Sequence, residues 1–311
     1  MKTPAKPYND LSVLLKRYFT GKVQKISVHA GFSCPNRDGH KGTGGCTYCN
    51  NQTFSPEYCL TKKSITEQLS DGVHFFSRKY PSMKYLAYFQ SYTNTYSDLK
   101  TLIDKYENAL QFPNVVGLII GTRPDCMPDE LLDYLETLSQ STFLLIEYGV
   151  ESTCDKTLDF INRGHTYADV VEAVTRTEKR NILTGAHLIL GLPGENKEDI
   201  LNHASQISRL PLTTVKLHQL QLIKGTRMAQ QYAENPELFN FYSVDEYVEL
   251  VIDFIERLHP DFIIERFVSQ SPKELLICPD WGIKNHEIST KVEKRMWERN
   301  TWQGRLFDGI S

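Results

Sequence analysis

No stretch of this chain approaches the roughly 18 consecutive apolar residues that a membrane-spanning helix needs, so no bilayer span is expected. The first residues, MKTPAKPYNDLSVLLKRYF, lack the apolar core and small-residue cleavage site of a secretory signal. Charge of one sign is not in excess either. The net charge is −3, so the molecule as a whole is not a generic polyanion binder. Repeats of solenoid period and low-complexity tracts are missing. The cysteines number seven in 311 residues, an odd count that does not read as a disulfide framework. What remains is the expectation of a cytoplasmic globular protein with reduced thiols. Its length suits two average domains or one large α/β barrel.

Charge is nevertheless uneven. Residues 1–41 carry Lys2, Lys6, Lys16, Arg17, Lys22, Lys25, Arg37 and Lys41 against Asp10 and Asp38, a net +6. Such a segment, leading into a reactive loop, could guide a phosphate backbone toward it; the plainer alternative is a solvated N-terminus. The loop is GFSCPNRDGHKGTGGCTYCNNQTF, in which Cys34, Cys46 and Cys49 are spaced C-x11-C-x2-C. Three close thiolates with no fourth at matching spacing suit a [4Fe–4S] cluster that leaves one iron open to an outside ligand. C-x2-C pairs also make zinc knuckles. Cys59, ten residues beyond Cys49, would complete a four-cysteine zinc site and with it a nucleic-acid adaptor. From the cysteines alone both readings stand.

Short β-branched and aromatic runs at 23–30, 84–89, 115–120, 143–149, 186–190, 214–220 and 262–267 alternate with helical periodicity. Two helix starts carry capping boxes, Ser64 with Glu67 and Ser243 with Glu246. Alternation of this kind predicts an α/β fold, a full or partial (β/α) barrel of six to seven parallel strands. In such barrels chemistry collects on loops at the C-terminal strand ends, and the cysteine loop follows the first strand. The expected divisions are a basic segment at 1–21, the barrel at 22–267 and a C-terminal helical extension at 268–311 that contains Trp281, Trp297 and Trp302.

Further motifs end the later strands: Gln90-Ser91-Tyr92-Thr93-Asn94, Gly121-Thr122-Arg123-Pro124-Asp125, Glu147-Tyr148-Gly149-Val150-Glu151-Ser152, Arg163-Gly164-His165, His187 with Gly191-Leu192-Pro193-Gly194-Glu195, and Lys224-Gly225-Thr226. Each alone is weak, since a Gly-Leu-Pro-Gly is usually a turn and a His in an apolar strand usually a core residue. Their order behind a three-cysteine loop resembles the radical S-adenosylmethionine (SAM) enzymes, over about residues 22–270. Within that family the chain is similar to the branch of the Elongator catalytic subunit and oxygen-independent coproporphyrinogen oxidase, most of all to its stand-alone bacterial members.

The resemblance implies a [4Fe–4S] cluster on Cys34, Cys46 and Cys49, with SAM chelating the fourth iron. It also implies an electron donor such as a flavodoxin or ferredoxin, and cleavage of SAM to methionine and a 5′-deoxyadenosyl radical. Tyr48 would pack toward the adenine and Thr93 would meet the amino group. Glu151 would sit at the methionine end, Arg163 at the carboxylate and His187 toward the ribose. Relatives carry a glutamate where this chain has Gly121, and glycines where it has residues 90–94. By likeness to Elongator the substrate would be a modified wobble-uridine side chain in tRNA. By likeness to the oxidase it would be a small metabolite or tetrapyrrole. The chain reaches Ser311 without a segment like Elongator's acetyltransferase domain, so acetyl transfer is not expected. Cys59, Cys126, Cys154 and Cys278 read as structural or incidental thiols.

Overall fold

The computed structural model describes residues 6–53, 55–77 and 83–309. Its strands are β1 (Val23–Val28), β2 (Lys84–Phe89), β3 (Val115–Thr122), β4 (Phe143–Glu151), β5 (Leu183–Leu190), β6 (Thr214–Gln219), β7 (Leu222–Ile223), β8 (Ile263–Arg266) and β9 (Leu276–Cys278). Its helices are α1 (Leu11–Tyr18), α2 (Ile65–Ser77), α3 (Leu99–Leu110), α4 (Asp129–Ser139), α5 (Asp155–Phe160), α6 (Tyr167–Glu178), α7 (Lys197–Ile207), α8 (Arg227–Glu234), α9 (Val244–Ile255) and α10 (Asn285–Glu298). One seven-stranded sheet runs β1-β2-β3-β4-β5-β6-β8 with every neighbour parallel. It curls into the partial barrel that the alternation of elements predicts.

Both faces of the curled sheet are covered, which is why its strands read as near-continuous apolar runs. Outward residues such as Phe89, Leu118, Ile146 and Leu188 pack beneath the helices, and each such side chain, fully buried, stabilises by about 1.5–3 kcal/mol. The helices begin where their caps dictate. The Ser64–Glu67 and Ser243–Glu246 boxes both form, and Thr166–Asp169 and Asn196–Asp199 add two more.

The inward face is layered along the barrel axis. At the N-terminal ends of the strands Leu86, Ile119, Phe143, Leu145 and Ile263 form an apolar plug with Leu14 of α1. Helix α1 closes that end: the Ile264 amide donates to the Asn9 carbonyl at 2.7 Å, and the Tyr18 ring meets Phe143 edge-on at 5.1 Å. Above the plug lies a layer of charged side chains, and above that a cavity opens at the C-terminal strand ends. No backbone pairing joins β1 to β8 among the described residues; Lys25 of β1 and Glu265 of β8 meet instead as an ion pair.

One expectation changes. The basic segment is no track toward the cysteine loop. Lys2 lies outside the described residues, Lys6 pairs with Asp10 at 2.8 Å, Lys25 is inside the barrel, and Lys41 pairs with Asp125 at 2.7 Å. Exposed Lys16 and Arg17 ride on α1, at the opposite end from the loop. The C-terminal helical extension expected within 268–311 is present as α10, with a short strand before it. That strand, β9, runs antiparallel to β7, and α10 docks on α9 through Ile288, Val292 and Met296. Among the described residues no helix is long and apolar enough to cross a membrane.

Candidate functional site

After β1 the chain crosses the barrel mouth, and side-chain amides pin the crossing. Asn36 Nδ2 donates to the Asn162 carbonyl at 2.6 Å and Asn162 Nδ2 to the Gly45 carbonyl at 2.8 Å. Arg37 Nη2 donates to the Cys49 carbonyl at 2.8 Å. The result brings Cys34, Cys46 and Cys49 to one wall of a single cavity. N–H groups face two of the sulfurs: Asn36 and Arg163 each lie 3.7 Å from Cys46 Sγ, and Asn51 lies 3.6 Å from Cys49 Sγ. Burial, and then neighbouring Cys46, push the Cys49 thiol up to about 11 against the pull of Arg37.

Among the described residues no three Cys, His, Asp or Glu side chains gather tightly enough for one ion. A cubane cluster, bound by one cysteine per iron, takes ligands set wider apart than tetrahedral zinc does. Cys59 is elsewhere. Its thiol donates to Gln68 Oε1 at 3.2 Å, between β1 and α2, so the four-cysteine zinc set is not assembled.

The cavity has an empty volume of about 1180 Å³, its open mouth included, and is lined by Tyr48, Thr93, Glu151, Arg163 and His187 as well as the cysteines. Strand β4 ends in a bulge with Glu151 at φ +66°, a left-handed turn that aims its carboxylate into the mouth. Arg163 Nη2 donates to the Gly149 carbonyl at 2.7 Å and lies 3.7 Å from Glu151 Oε1. A Cβ at Gly149 would stand 2.6 Å from Arg163 Nη2 and 2.7 Å from Glu151 Oε1, so both side-chain ends would have to shift. Burial opposes the charge on Arg163, but Tyr48, Cys46 and Glu151 outweigh it and raise its pKa. Burial raises Glu151 against the pull of Arg163 and Tyr48.

Two buried polar atoms at this wall have no partner, Thr93 Oγ1 and Arg163 Nε. An acceptor-rich carboxylate beside an ammonium, the amino-acid end of SAM, would satisfy both. The residues present therefore fit the group the cysteines imply. A Cβ at Gly121 would lie 3.2 Å from the Phe89 carbonyl, so this backbone leaves little room for the glutamate of relatives.

Beneath the cavity, the charged layer gathers on Glu147, whose side chain is 0% exposed. Its carboxylate accepts from Lys216 Nζ at 2.6 Å, His187 Nε2 at 2.7 Å, Tyr88 Oη at 2.7 Å and Lys25 Nζ at 3.4 Å. Burial opposes its ionisation, but Lys216, Lys25 and His187 hold its pKa well below the usual carboxylate range. Burial lowers Lys216 to about 8. His187 thus stands at the cavity floor with one nitrogen already committed.

The sequence motifs contain Arg123 and Glu195 without giving either a role, and several lining residues were missed. Arg123 forks onto Asp125 at 2.8 and 2.9 Å and donates to the Arg163 carbonyl at 2.8 Å, so it positions the Arg163 turn. Glu195 of the Gly-Leu-Pro-Gly-Glu turn accepts from Ser152 Oγ at 2.5 Å and meets His203 at 3.1 Å, tying the ends of β4 and β5 together. His218, Gln219 and Ser269 also line the cavity and belong to no motif.

The chain matches the profile of the Radical SAM superfamily over residues 38–207 and that of the Radical_SAM C-terminal domain over 212–298. It is 36% identical over 305 residues to the uncharacterized protein YtqA of Bacillus subtilis, covering 98% of this chain and 94% of that one. A tRNA uridine(34) acetyltransferase of Methanocaldococcus jannaschii is 24% identical over 185 residues, 58% of this chain and 32% of the relative. Among solved structures, Elp3 of Methanocaldococcus infernus shares the fold with a TM-score of 0.69 at 16% identity, over 92% of this chain and 65% of that one. The profile match over more than half the chain and the near full-length similarity to YtqA agree with the cysteine-lined barrel mouth: the chain belongs to the radical SAM superfamily, whose enzymes use a [4Fe–4S] cluster and SAM.

Proposed function

We propose that this radical SAM enzyme acts on the side chain of a modified wobble uridine in tRNA. The observation that carries the substrate is the similarity to tRNA uridine(34) acetyltransferases, 24% over 185 residues. Only 32% of that relative is matched, so acetyl transfer is no part of the proposal.

Cys34, Cys46 and Cys49 would hold the cluster. When bound, cluster and SAM supply reductive SAM cleavage and hydrogen abstraction from the substrate, with electrons from a donor such as a flavodoxin or ferredoxin. The chain's own residues bind and orient. Arg163 would offer its guanidinium to the SAM carboxylate, with Glu151 and Thr93 toward the amino group and Tyr48 toward the adenine. Tyr48 packs with the apolar cluster of Leu158, Ile161 and Leu220, which keeps that side of the cavity dry. Contacts to phosphate would come from the rim, where Lys224 and Arg227 are exposed directly after cavity-lining Ile223.

The test compares nucleoside profiles of tRNA from cells with and without the gene. One wobble-uridine nucleoside should disappear and its precursor accumulate; identical profiles would refute the substrate.

A further inference from the structure

Two histidines at the cavity floor are locked in opposite hydrogen-bonding senses. His187 Nε2 lies 2.7 Å from Glu147 Oε2. An ionised carboxylate only accepts, so the hydrogen between them sits on Nε2 and His187 Nδ1 is left as a lone pair. His218 Nε2 lies 3.4 Å from Arg266 Nη2. A guanidinium only donates, so this Nε2 is the acceptor and the ring hydrogen of His218 sits on Nδ1. Both rings are neutral. Burial, reinforced by Lys216, lowers His187 to about 4, and burial with Arg266 holds His218 well below its ordinary value. Neither Nδ1 has a hydrogen-bond partner among the described residues, and neither is sealed from open space. The rings stand 5.6 Å apart and line the same cavity as the cysteines.

We infer that His187 Nδ1 and His218 Nδ1–H form an acceptor–donor pair that recognises a neutral amide-like edge of the substrate. Under the tRNA reading, on which this rests, that edge is the imide N–H and C=O of the uracil ring. The pair rejects groups that bring acceptors only or donors only. A carboxylate or phosphate brings acceptors only and sets a lone pair against His187 Nδ1. An ammonium brings donors only and meets the His218 N–H head-on. A planar ring with a donor beside an acceptor satisfies both groups. Because Glu147 and Arg266 set the two tautomers, the pattern exists before the substrate arrives. The same floor therefore disfavours a substrate presented through propionate or other carboxylate arms.

The test uses anticodon stem–loops carrying uridine or N3-methyluridine at the wobble position, titrated against anaerobic protein loaded with cluster and SAM. Wild type should prefer uridine by roughly tenfold, the scale of one unmade hydrogen bond in a closed site. His187→Gln can still donate to Glu147 but offers nothing at the Nδ1 position. His218→Gln can still accept from Arg266 but loses the donor. Both should lose the preference. No preference in wild type, or preference retained in both variants, overturns the inference. So does a fall in SAM affinity in His187→Gln with the preference intact, which would put that ring on the SAM side. If wild type binds neither stem–loop, the tRNA reading fails by itself. Free uracil against 3-methyluracil, followed by saturation-transfer NMR, then reads the pair alone: preference for uracil sustains the inference and equal signals overturn it.

Discussion

Replacing Glu147 with Leu removes the one carboxylate on which four donors of the inner layer converge. Lys216, His187, Tyr88 and Lys25 all point at it, and its side chain has 0% exposure. Two lysines would then face Glu265 alone. Stripping one partner from a buried ion pair costs about 3–5 kcal/mol, since an uncompensated charge stays in a low-dielectric site. At about 2 °C per kcal/mol for a chain of this size, Tm should fall by about 6–10 °C. The double variant Glu147→Leu with Lys216→Met removes one charge of each sign and leaves Lys25 against Glu265. It should regain more than half of that loss. The deficit of the single variant should also shrink as pH rises toward about 8 and stay level above it. Glu147 holds the charge on Lys216, whose pKa is about 8 in the intact layer, so without that carboxylate the folded variant releases the proton at lower pH and gains stability with pH where wild type does not yet. Thermal melts of the wild type, both single variants and the double, taken anaerobically, decide the matter. A double variant whose loss equals the sum of the two single losses would refute the idea that these charges compensate one another.

Three further outcomes are expected. Cys34→Ala, Cys46→Ala and Cys49→Ala should each lose iron and SAM cleavage while Cys59→Ala retains both; colorimetric iron and sulfide analysis checks this, and metal loss in Cys59→Ala would revive the four-cysteine site. Gly149→Ala should drive Arg163 and Glu151 apart and weaken SAM binding by about 1.5–3 kcal/mol, one charge-assisted hydrogen bond, with iron content intact; unchanged affinity in an anaerobic titration would show that this wall does not hold the amino-acid end. Lys224→Ser with Arg227→Ser should lower tRNA affinity and reduce its salt slope by up to about one unit per contact, whereas Lys16→Ser with Arg17→Ser, at the opposite end of the barrel, should change neither.

Most of the sheet was legible because parallel strands buried on both faces are written as apolar runs. Strand β2 has the very bounds its residues suggest, whereas β5 starts three residues before the apolar run at Ala186, since Leu183-Thr184-Gly185 carries no such pattern. Gly185 belongs there because a Cβ would stand 2.3 Å from Thr214 Oγ1 on the next strand. Capping boxes with Glu at the third position were recognised; the two that use Asp were not, as the shorter side chain is the less familiar sign. The cysteine wall was legible because its residues lie close together in sequence. The charged floor was not. Lys25, Glu147, Lys216 and Glu265 are spread over four strands, and only the parallel register and the curl bring them together. A search for charged residues at inward, every-second positions of apolar strands would have found them. The same search extended to histidine would have found His218, two residues beyond Lys216 on the same face, whereas the +6 segment misled because a count along the chain is blind to which lysines are already paired.

The layer around Glu147 also divides the barrel into two compartments with different tolerances for change. Below it, the plug of Leu86, Ile119, Phe143 and Ile263 answers only to packing, and substitutions there register as folding defects. Above it, the walls are loops and strand tips whose side chains face a cavity, and they can be exchanged with little consequence for the plug. A lineage built on this chain could therefore explore new substrates by editing the upper chamber while the lower one keeps the scaffold assembled. The charged floor acts as a bulkhead that insulates foldability from innovation.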